Sequence, residues 1–435
     1  MTFLKDAFLT LRGVIKYHSF LKNSQFYNDQ SISKQQNIWL REYLIHACEN
    51  IPWYMEKFKR YGVNPYSEKA FLELEKFPIL TKSEVIENHA KFFTAGANKS
   101  ALTFFTSGTT GQPMRAFSSE NQWVIEQGLI WRQWKWAGYK FRDKIATFRS
   151  YSPTLDEPKI VVNRLKNWAY FSVFDMTDED LDGYFSFLQV WRPKFIRGYP
   201  SALSIVAKYA QSKSLRIASL KAVFCASETT THELRKLVRE ALGVEIFDHY
   251  GQAEITAMFH DCELHSGMHV DWEYGFVELL PTKNPNLKRV IATNLHNTAM
   301  PLLRYDTGDL VFGSWKKCPC GRGAPIVSQI LGRNDDFIFT SDMSEISTVN
   351  LYTYFAKIVE LDRFQIIQNV PGNINIIVRI NANTPDGQSK QICQKIRHDL
   401  ELKTKLAVTV ESDCKFLQSR EGKFVTLVQR VKHDC

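Results

Sequence analysis

The chain has 435 residues, 44% of them hydrophobic, 23% charged and 13% aromatic, with ten Trp. These proportions suit a folded protein with a substantial core and exclude a disordered chain, while the length predicts a large domain plus a smaller one. A net charge of +9 means either an ordinary solvated basic surface or one that favours anionic partners such as nucleotides, acidic sugars or an anionic membrane face.

No run of about 18 apolar residues exists, so no transmembrane helix is expected. The N-terminal stretch Met1–Phe20 is mildly amphipathic, carries charge throughout and lacks a clean apolar core and cleavage site; it is not read as a signal peptide, and the expected location is the cytoplasm. Of the eight Cys, only Cys318 and Cys320 stand close together in sequence. In a cytosolic protein such a pair suggests metal more than disulfide.

Residues 1–100 read mostly as helix, with spaced apolar residues in Asn37–Asn50 and Pro65–Lys76. From Ala101 the pattern alternates. Ala101–Thr106 reads as a strand, Ser119–Ala137 as a helix capped by Ser118 or Ser119, and Ala202–Ser212 as a helix. Leu220–Ala226, Thr231–Leu242 and Val244–Asp248 then read as strand, helix and strand. Alternation at this spacing predicts βαβ units and a largely parallel sheet, an α/β fold. Gly275–Leu280, Val290–Asn294 and Asp309–Phe312 predict an all-β subdomain. After Gly332–Asp336 the character changes: strands at Phe364–Val370 and Ile374–Ile380 flank the turn sequence Pro371-Gly372-Asn373. A helix near Ser389–Leu402 and strands at Val408–Glu411 and Phe424–Val428 complete a small α+β domain. The expected division is 1–333 and 334–435.

Five strings carry the chemistry. Thr106-Ser107-Gly108-Thr109-Thr110-Gly111 follows a strand; glycine lets backbone N–H groups turn toward an anion and four hydroxyls add donors, which suits a polyphosphate, though no Gly-Lys-Ser/Thr makes it a Walker A loop. Asp248-His249-Tyr250-Gly251-Gln252-Ala253-Glu254 lies at the carboxyl end of a predicted strand, where open α/β sheets bind ligands. Tyr250 offers a face for a purine, and a single carboxylate suits Mg²⁺. In Arg304-Tyr305-Asp306-Thr307-Gly308-Asp309 a carboxylate can accept both hydroxyls of a ribose. Gly332-Arg333-Asn334-Asp335-Asp336 has a hinge's composition. Ser419-Arg420-Glu421-Gly422-Lys423 presents a lysine before a strand. Taken singly, each string is also compatible with a polar turn or exposed loop; order and spacing separate the readings.

In that order the five strings resemble the adenylate-forming superfamily, and within it the phenylacetate–CoA ligase-like branch with its coenzyme F390 synthetase-like and CapK-like members, over about residues 35–430. Arg197-Gly198-Tyr199-Pro200-Ser201 and the Trp-rich Trp131–Tyr139 look most like the CapK-like members. The resemblance implies a large N-terminal α/β domain with a β-subdomain and a small mobile α+β lid. It implies that Thr106 and Ser107–Gly111 hold the ATP phosphates, that Ser227 and Glu228 lie in the adenine-binding segment, and that Asp248, His249, Tyr250 and Gly251 frame the adenine. Glu254 is expected to bind Mg²⁺, Asp309 the ribose with Arg333 nearby, and Lys423 is expected to contact the carboxylate and the α-phosphate. Some members of the branch bind zinc through a Cys segment with Gly-x-His and a later Cys pair; here that implies Cys262, Cys318 and Cys320 with His269 chosen over His265, a structural Zn²⁺ site.

The chain departs from the CoA-forming relatives after Asp336, where Phe337–Ser344 contains no glycine. That predicts adenylation followed by transfer to an amine, plausibly of a surface-polysaccharide precursor, with an acyl-CoA ligase as the alternative and a non-catalytic nucleotide-binding protein as the third reading. Cys-x-Cys spacing without a basic helix beside it argues against nucleic-acid binding. Trp131, Trp134, Phe148, Tyr151, Tyr199 and Phe259 are equally candidates for the acid pocket and for the core.

Overall fold

The computed structural model describes residues 3–96, 101–105, 114–149, 151, 158–173, 176–282, 284–333, 337–343, 345–347, 351, 354–355, 358, 360–381, 384–385, 387–412, 415–418 and 424–431. These form two compact units, one ending at Gly332 and the other beginning at Arg333.

The first unit opens with α1 (Phe3–Ser24), α2 (Asp29–Asn50), α3 (Pro52–Tyr61), α4 (Ala70–Glu75) and α5 (Lys82–Glu87). Local sequence sets their ends: Asn28 caps α2 by accepting from the Ser31 N–H, and Thr81 with Glu84 forms a capping box on α5. Strands β1 (Leu102–Phe105) and β2 (Arg115–Ser118) pair antiparallel, with Phe105 opposite Arg115. Helix α6 (Glu120–Trp136) follows, capped by Ser119.

Then come β3 (Ile145–Phe148), β4 (Ile160–Asn163), β5 (Trp168–Phe171), α7 (Asp178–Trp191), β6 (Phe195–Gly198), α8 (Pro200–Ser212), β7 (Ala222–Ala226), α9 (His232–Leu242), β8 (Glu245–Gly251), β9 (Met258–Asp261) and β10 (Met268–Val270). Next are β11 (Gly275–Pro281), β12 (Leu287–Asn294), β13 (Tyr305–Phe312), β14 (Ile326–Val327) and β15 (Gln329–Arg333). Among the described residues the main sheet has nine strands, ordered β14-β10-β9-β8-β7-β6-β3-β5-β4. Strands β5, β3, β6, β7 and β8 run parallel in it.

Side chains alternate across this sheet. Ile196, Val223 and Ile246 pack with α7, α8 and α9 on one face; Ile145, Phe195, Phe224 and Phe247 pack with α6 and Leu21 of α1 on the other. Helices α1 and α6 touch backbone to backbone at Gly13, where a Cβ would lie 2.2 Å from the Val124 carbonyl oxygen. A second sheet, β11-β12-β13-β15, shares a core with β9 and β10 through Phe259, Val270, Val290 and Val311.

The second unit contains the antiparallel hairpin β16 (Phe337–Phe339) and β17 (Glu345–Ser347), then β18 (Leu361–Val370), β19 (Asn373–Ile380), α10 (Gln388–Thr404), β20 (Ala407–Ser412) and β21 (Leu427–Gln429). Its four-stranded sheet has the order β20-β19-β18-β21, and Ile396 and Leu400 of α10 pack with Ile366, Ile376 and Val408. Among the described residues no helix is long and apolar enough to cross a membrane.

Candidate active site

Two of the expected strings, Asp248–Glu254 and Arg304–Asp309, meet at the carboxyl end of β8. The Tyr250 hydroxyl donates to Asp309 Oδ2 at 2.5 Å, joining the end of β8 to β13. Burial, then the adjacent Asp309 carboxylate, pushes the Tyr250 phenol well above its ordinary range, so it stays a donor. Asp309 is buried, and its backbone N–H donates to Thr307 Oγ1 at 3.1 Å. Glu254 is buried in the turn after β8, with the Tyr305 hydroxyl 3.4 Å and Lys82 Nζ 3.9 Å from its Oε1.

The backbone around these groups is held in left-handed geometry. Ser227 has φ 74°, Ile255 53° and Arg304 48°, and Gly308, between Thr307 and Asp309, has φ 74°. A β-branched residue in this region is an outlier costing about 1–3 kcal/mol. Arg304 is fixed by Glu278 at 2.8 Å and by the Phe77 carbonyl at 2.6 Å.

Other expected residues have distinct local settings. Glu228 accepts from the backbone and hydroxyl of Ser201, at 2.8 and 2.9 Å, satisfying the start of α8. Ser227 Oγ accepts from Arg149 at 3.4 Å. Asp248 lies 3.8 Å from Arg235; burial, then Asp261, pushes its carboxyl up to about 7. His249 points to the α6 face of the sheet, by strand alternation opposite to Asp248 and Tyr250, and a Cβ on Gly251 would come within 3.1 Å of its Nε2. Arg333 closes β15. Thr106, Ser107, Gly108, Thr109, Thr110, Gly111 and Lys423 lie outside the described residues, as do Asn334–Asp336.

Of the aromatic pocket candidates, Trp131 and Trp134 are core residues on α6, Phe148 stacks on Phe171 at 4.5 Å, and Phe259 packs edge-on beneath Tyr250. Tyr199 is buried, with the Arg149 guanidinium 5.2 Å over its ring. Tyr151 donates to the Pro158 carbonyl at 2.6 Å.

Sequence reasoning missed a polar system on α6. Arg132, buried in that helix, binds Asp271 at 2.7 Å and Glu273 at 2.5 Å; Asp271 also meets His260 Nδ1, and Ser24 of α1 donates to Glu273 at 2.6 Å. One turn and a half earlier, Glu126 accepts from the Tyr274 hydroxyl at 2.8 Å, and burial pushes its carboxyl up to about 7. A signal was available: Glu126 and Arg132 are the charged residues of a Trp-rich, largely apolar stretch between Trp123 and Trp134.

The cysteine segments also meet. Cys262 follows β9, His269 lies in β10, and Cys318 and Cys320 precede β14; their ligand atoms all lie within 4.8 Å of one another. Cys262 Sγ is 3.8 Å from Cys318 Sγ, and Cys320 Sγ is 3.4 Å from His269 Nε2. A tetrahedral zinc with bonds of about 2.3 Å to sulfur and about 2.0 Å to nitrogen requires edges of about 3.8 and 3.5 Å. His269 Nδ1 donates to the Ala324 carbonyl at 2.9 Å, which presents Nε2 to the cluster. His265 stands apart, bonded to Asp261 at 3.0 Å. Arg322, 4.1 Å over Trp136 and 3.0 Å from Glu263, lies beside Cys320 and suits the negative charge of a three-thiolate site. The donor set therefore fits structural zinc, which would tie the sheet edge to α6 through Trp136.

Comparison with known proteins gives the same fold and chemistry. Residues 64–277 match the family of AMP-binding enzymes. The phenylacetate–coenzyme A ligase of Thermus thermophilus is 26% identical over 365 residues, 81% of this chain and 79% of that one. Protein CapK of Staphylococcus aureus is 23% identical over 91% of this chain and 88% of its own. Among solved structures, 2-hydroxyisobutyryl-CoA ligase in the postadenylation state with 2-HIB-AMP superposes with a TM-score of 0.71 at 17% identity, covering 94% of this chain and 91% of that one. The chain thus carries an AMP-binding enzyme domain over residues 64–277 and, as an adenylate-forming ligase, is similar to phenylacetate–coenzyme A ligases and to CapK along most of its length.

Proposed function

We propose that the protein activates a carboxylic acid with ATP and Mg²⁺ and passes the acyl group to coenzyme A. In the first step a carboxylate oxygen attacks the α-phosphorus, giving acyl-adenylate and pyrophosphate; in the second the CoA thiol attacks the acyl carbon, giving thioester, AMP and a proton. The observation that carries this reading is the junction of Tyr250 with Asp309, beside buried Glu254 at the carboxyl end of β8. Asp309 would take the ribose hydroxyls, with Arg333 nearby. Tyr250, Gly251 and the Ser227–Glu228 and Asp248 segments would frame the adenine. Glu254 would hold Mg²⁺, whose charge would offset the repulsion between the two anions. Thr106–Gly111 would hold the phosphates. Lys423 would supply the further positive charge where it develops, and residues 334–435 would act as the lid that delivers it.

The CoA acceptor is favoured because relatives spanning four-fifths or more of the chain carry the name phenylacetate–coenzyme A ligase. Transfer to an amine, the acceptor expected from sequence, keeps two supports: similarity to CapK over 91% of the chain, and the absence of glycine from Phe337–Ser344. The test is product analysis. With ATP, Mg²⁺, an accepted acid and CoA, mass spectrometry should show the acyl-CoA mass. Accumulated acyl-adenylate, trapped as hydroxamate by hydroxylamine but never converted by CoA, would overturn the CoA reading in favour of an amine acceptor.

A further inference from the structure

The α6 side of the sheet is an aromatic and aliphatic core along most of its length, but at the carboxyl ends of the strands, beside β8, it carries polar side chains. Rows of parallel strands place Thr147 next to Arg197, and the following row ends at His249. All three are on the face that α6 covers, toward the carboxyl ends of the strands. Residues one helical turn apart on α6, Gln122 and Glu126, share a side with Gln133, whose amide reaches the Asp248 carbonyl at 2.6 Å. That contact aims this side of the helix at β8.

Several of these polar groups have nothing to bond. Gln122 is fully buried; its amide lies by the Tyr274 hydroxyl and, apart from that loose contact, has no hydrogen-bond partner among the described residues. Thr147 Oγ1 and His249 Nε2 are likewise buried and unpartnered. Glu126, Arg197 and His249 are half-buried beside these buried neighbours. Arg197 lies within electrostatic reach of both Glu126 and His249. Burial holds the His249 imidazole neutral, so Nε2 offers a neutral acceptor or donor according to its tautomer. Each buried polar atom left unsatisfied carries a desolvation cost that a hydrocarbon tail could not offset and a hydroxylated tail would.

We propose that Gln122, Glu126, Thr147, Arg197 and His249 form the acyl-tail site, and that the substrate is a carboxylic acid whose tail carries at least one hydroxyl or comparable neutral donor–acceptor group. This rests on the adenylating reading and names its substrate class. A hydroxyl donates to one of Glu126, His249 or the Gln122 oxygen and accepts from the Gln122 amide or Arg197. Burial disfavours the charged forms of Glu126 and His249 alike, so the site favours a neutral polar tail over an ionised one.

The test is acid-dependent pyrophosphate release with matched pairs of acids that share a carbon skeleton and differ by one hydroxyl, aromatic pairs such as 4-hydroxyphenylacetate and phenylacetate and aliphatic pairs alike, plus the corresponding amino acids. Hydroxylated members of at least one skeleton should exceed their deoxy partners by about 100-fold or more in kcat/KM, since a site built to bond a hydroxyl rejects the analogue without it. Gln122→Leu and Thr147→Val should each reduce that ratio by about 10-fold while the KM for ATP stays within about 2-fold. Equal or better turnover of the deoxy acids across all skeletons would overturn the proposal, as would a clear preference for the amino acids. Release with no acid of any kind would instead count against the adenylating reading itself. Should Gln122→Leu fold poorly, Gln122→Met, which keeps the length of the side chain and removes the amide, serves in its place: an unchanged hydroxyl-to-deoxy ratio would count against the proposal.

Discussion

Replacing Arg132 with methionine keeps the length and apolar stem of the side chain and removes its charge. In the intact protein the guanidinium is the cation between Asp271 and Glu273, whose side chains are fully buried. Breaking a buried pair from one side leaves an uncompensated charge and costs about 3–5 kcal/mol. For a cooperative unit of roughly 330 residues the entropy of unfolding is about 0.7 kcal/mol per degree, so the melting temperature should fall by about 4–7 °C. The triple variant Arg132→Met/Asp271→Asn/Glu273→Gln removes the stranded charges and should recover at least half of the loss. The pH dependence has a definite sign. Burial alone would raise the Asp271 carboxyl, but His260 and Arg132 more than offset this and hold it below the usual range. A carboxylate with a depressed native pKa contributes stability that is present above its unfolded pKa and is lost as pH falls through the native one. In Arg132→Met that acid loss should begin at higher pH. Scanning calorimetry of the three proteins between pH 3 and 8 checks both statements; a shift under about 1 °C for Arg132→Met at pH 7 would refute the reasoning.

Glu126 should show the opposite pH sign. Burial pushes its carboxyl up to about 7, above the ordinary 4.5, so the folded state holds a proton that the unfolded state has lost, and stability falls as pH rises between those values. Glu126→Gln should therefore be more stable than the parent at pH 8, by up to about 3 kcal/mol, and equal to it near pH 4; denaturant titration at the two pH values would expose a wrong assignment as an equal or reversed difference. The purified protein should hold one zinc per chain, absent from Cys318→Ser/Cys320→Ser, and chelation should lower its melting temperature; metal-free protein that melts normally would end the zinc assignment. Lys423→Ala should slow acid-dependent pyrophosphate release by about 100-fold or more while ATP affinity changes only a few-fold, and Asp309→Ala should weaken ATP binding directly. Isothermal titration beside the kinetic assay separates the two variants, and near-normal release by Lys423→Ala would remove that lysine from the chemistry.

The parts of this protein legible in its sequence are those written in local chemistry. Ser119 and Thr231 announce α6 and α9 by their caps, and the turn Pro371-Gly372-Asn373 separates β18 from β19. The Tyr-Gly-x-x-Glu and Tyr-Asp-Thr-Gly-Asp strings stood out because glycines there meet a backbone need, seen at Gly308. Short strands such as β3, β6 and β10, of four, four and three residues, carry no periodicity long enough to read. The unseen part of the site was tertiary by nature. Glu126 and Tyr274 are separated by 148 positions, and Arg132 and Glu273 by 141, so nothing in the sequence joins them. The rare charges inside the Trp-rich α6 hinted at buried partners without naming them. Ile255 at φ 53° was illegible for the reverse reason: its residue type argues against the conformation the turn imposes.

The central claim is adenylation, and its most direct measurement is ATP–pyrophosphate exchange. Radiolabelled pyrophosphate should appear in ATP only when an accepted acid is present, with no CoA required, because exchange reports reversible formation of the acyl-adenylate alone. Exchange that depends on acid and Mg²⁺ and is abolished in Glu254→Gln is the result expected from the site at the end of β8. No exchange with any member of a broad panel of hydroxylated, aromatic and aliphatic acids, from protein that binds ATP, would contradict it.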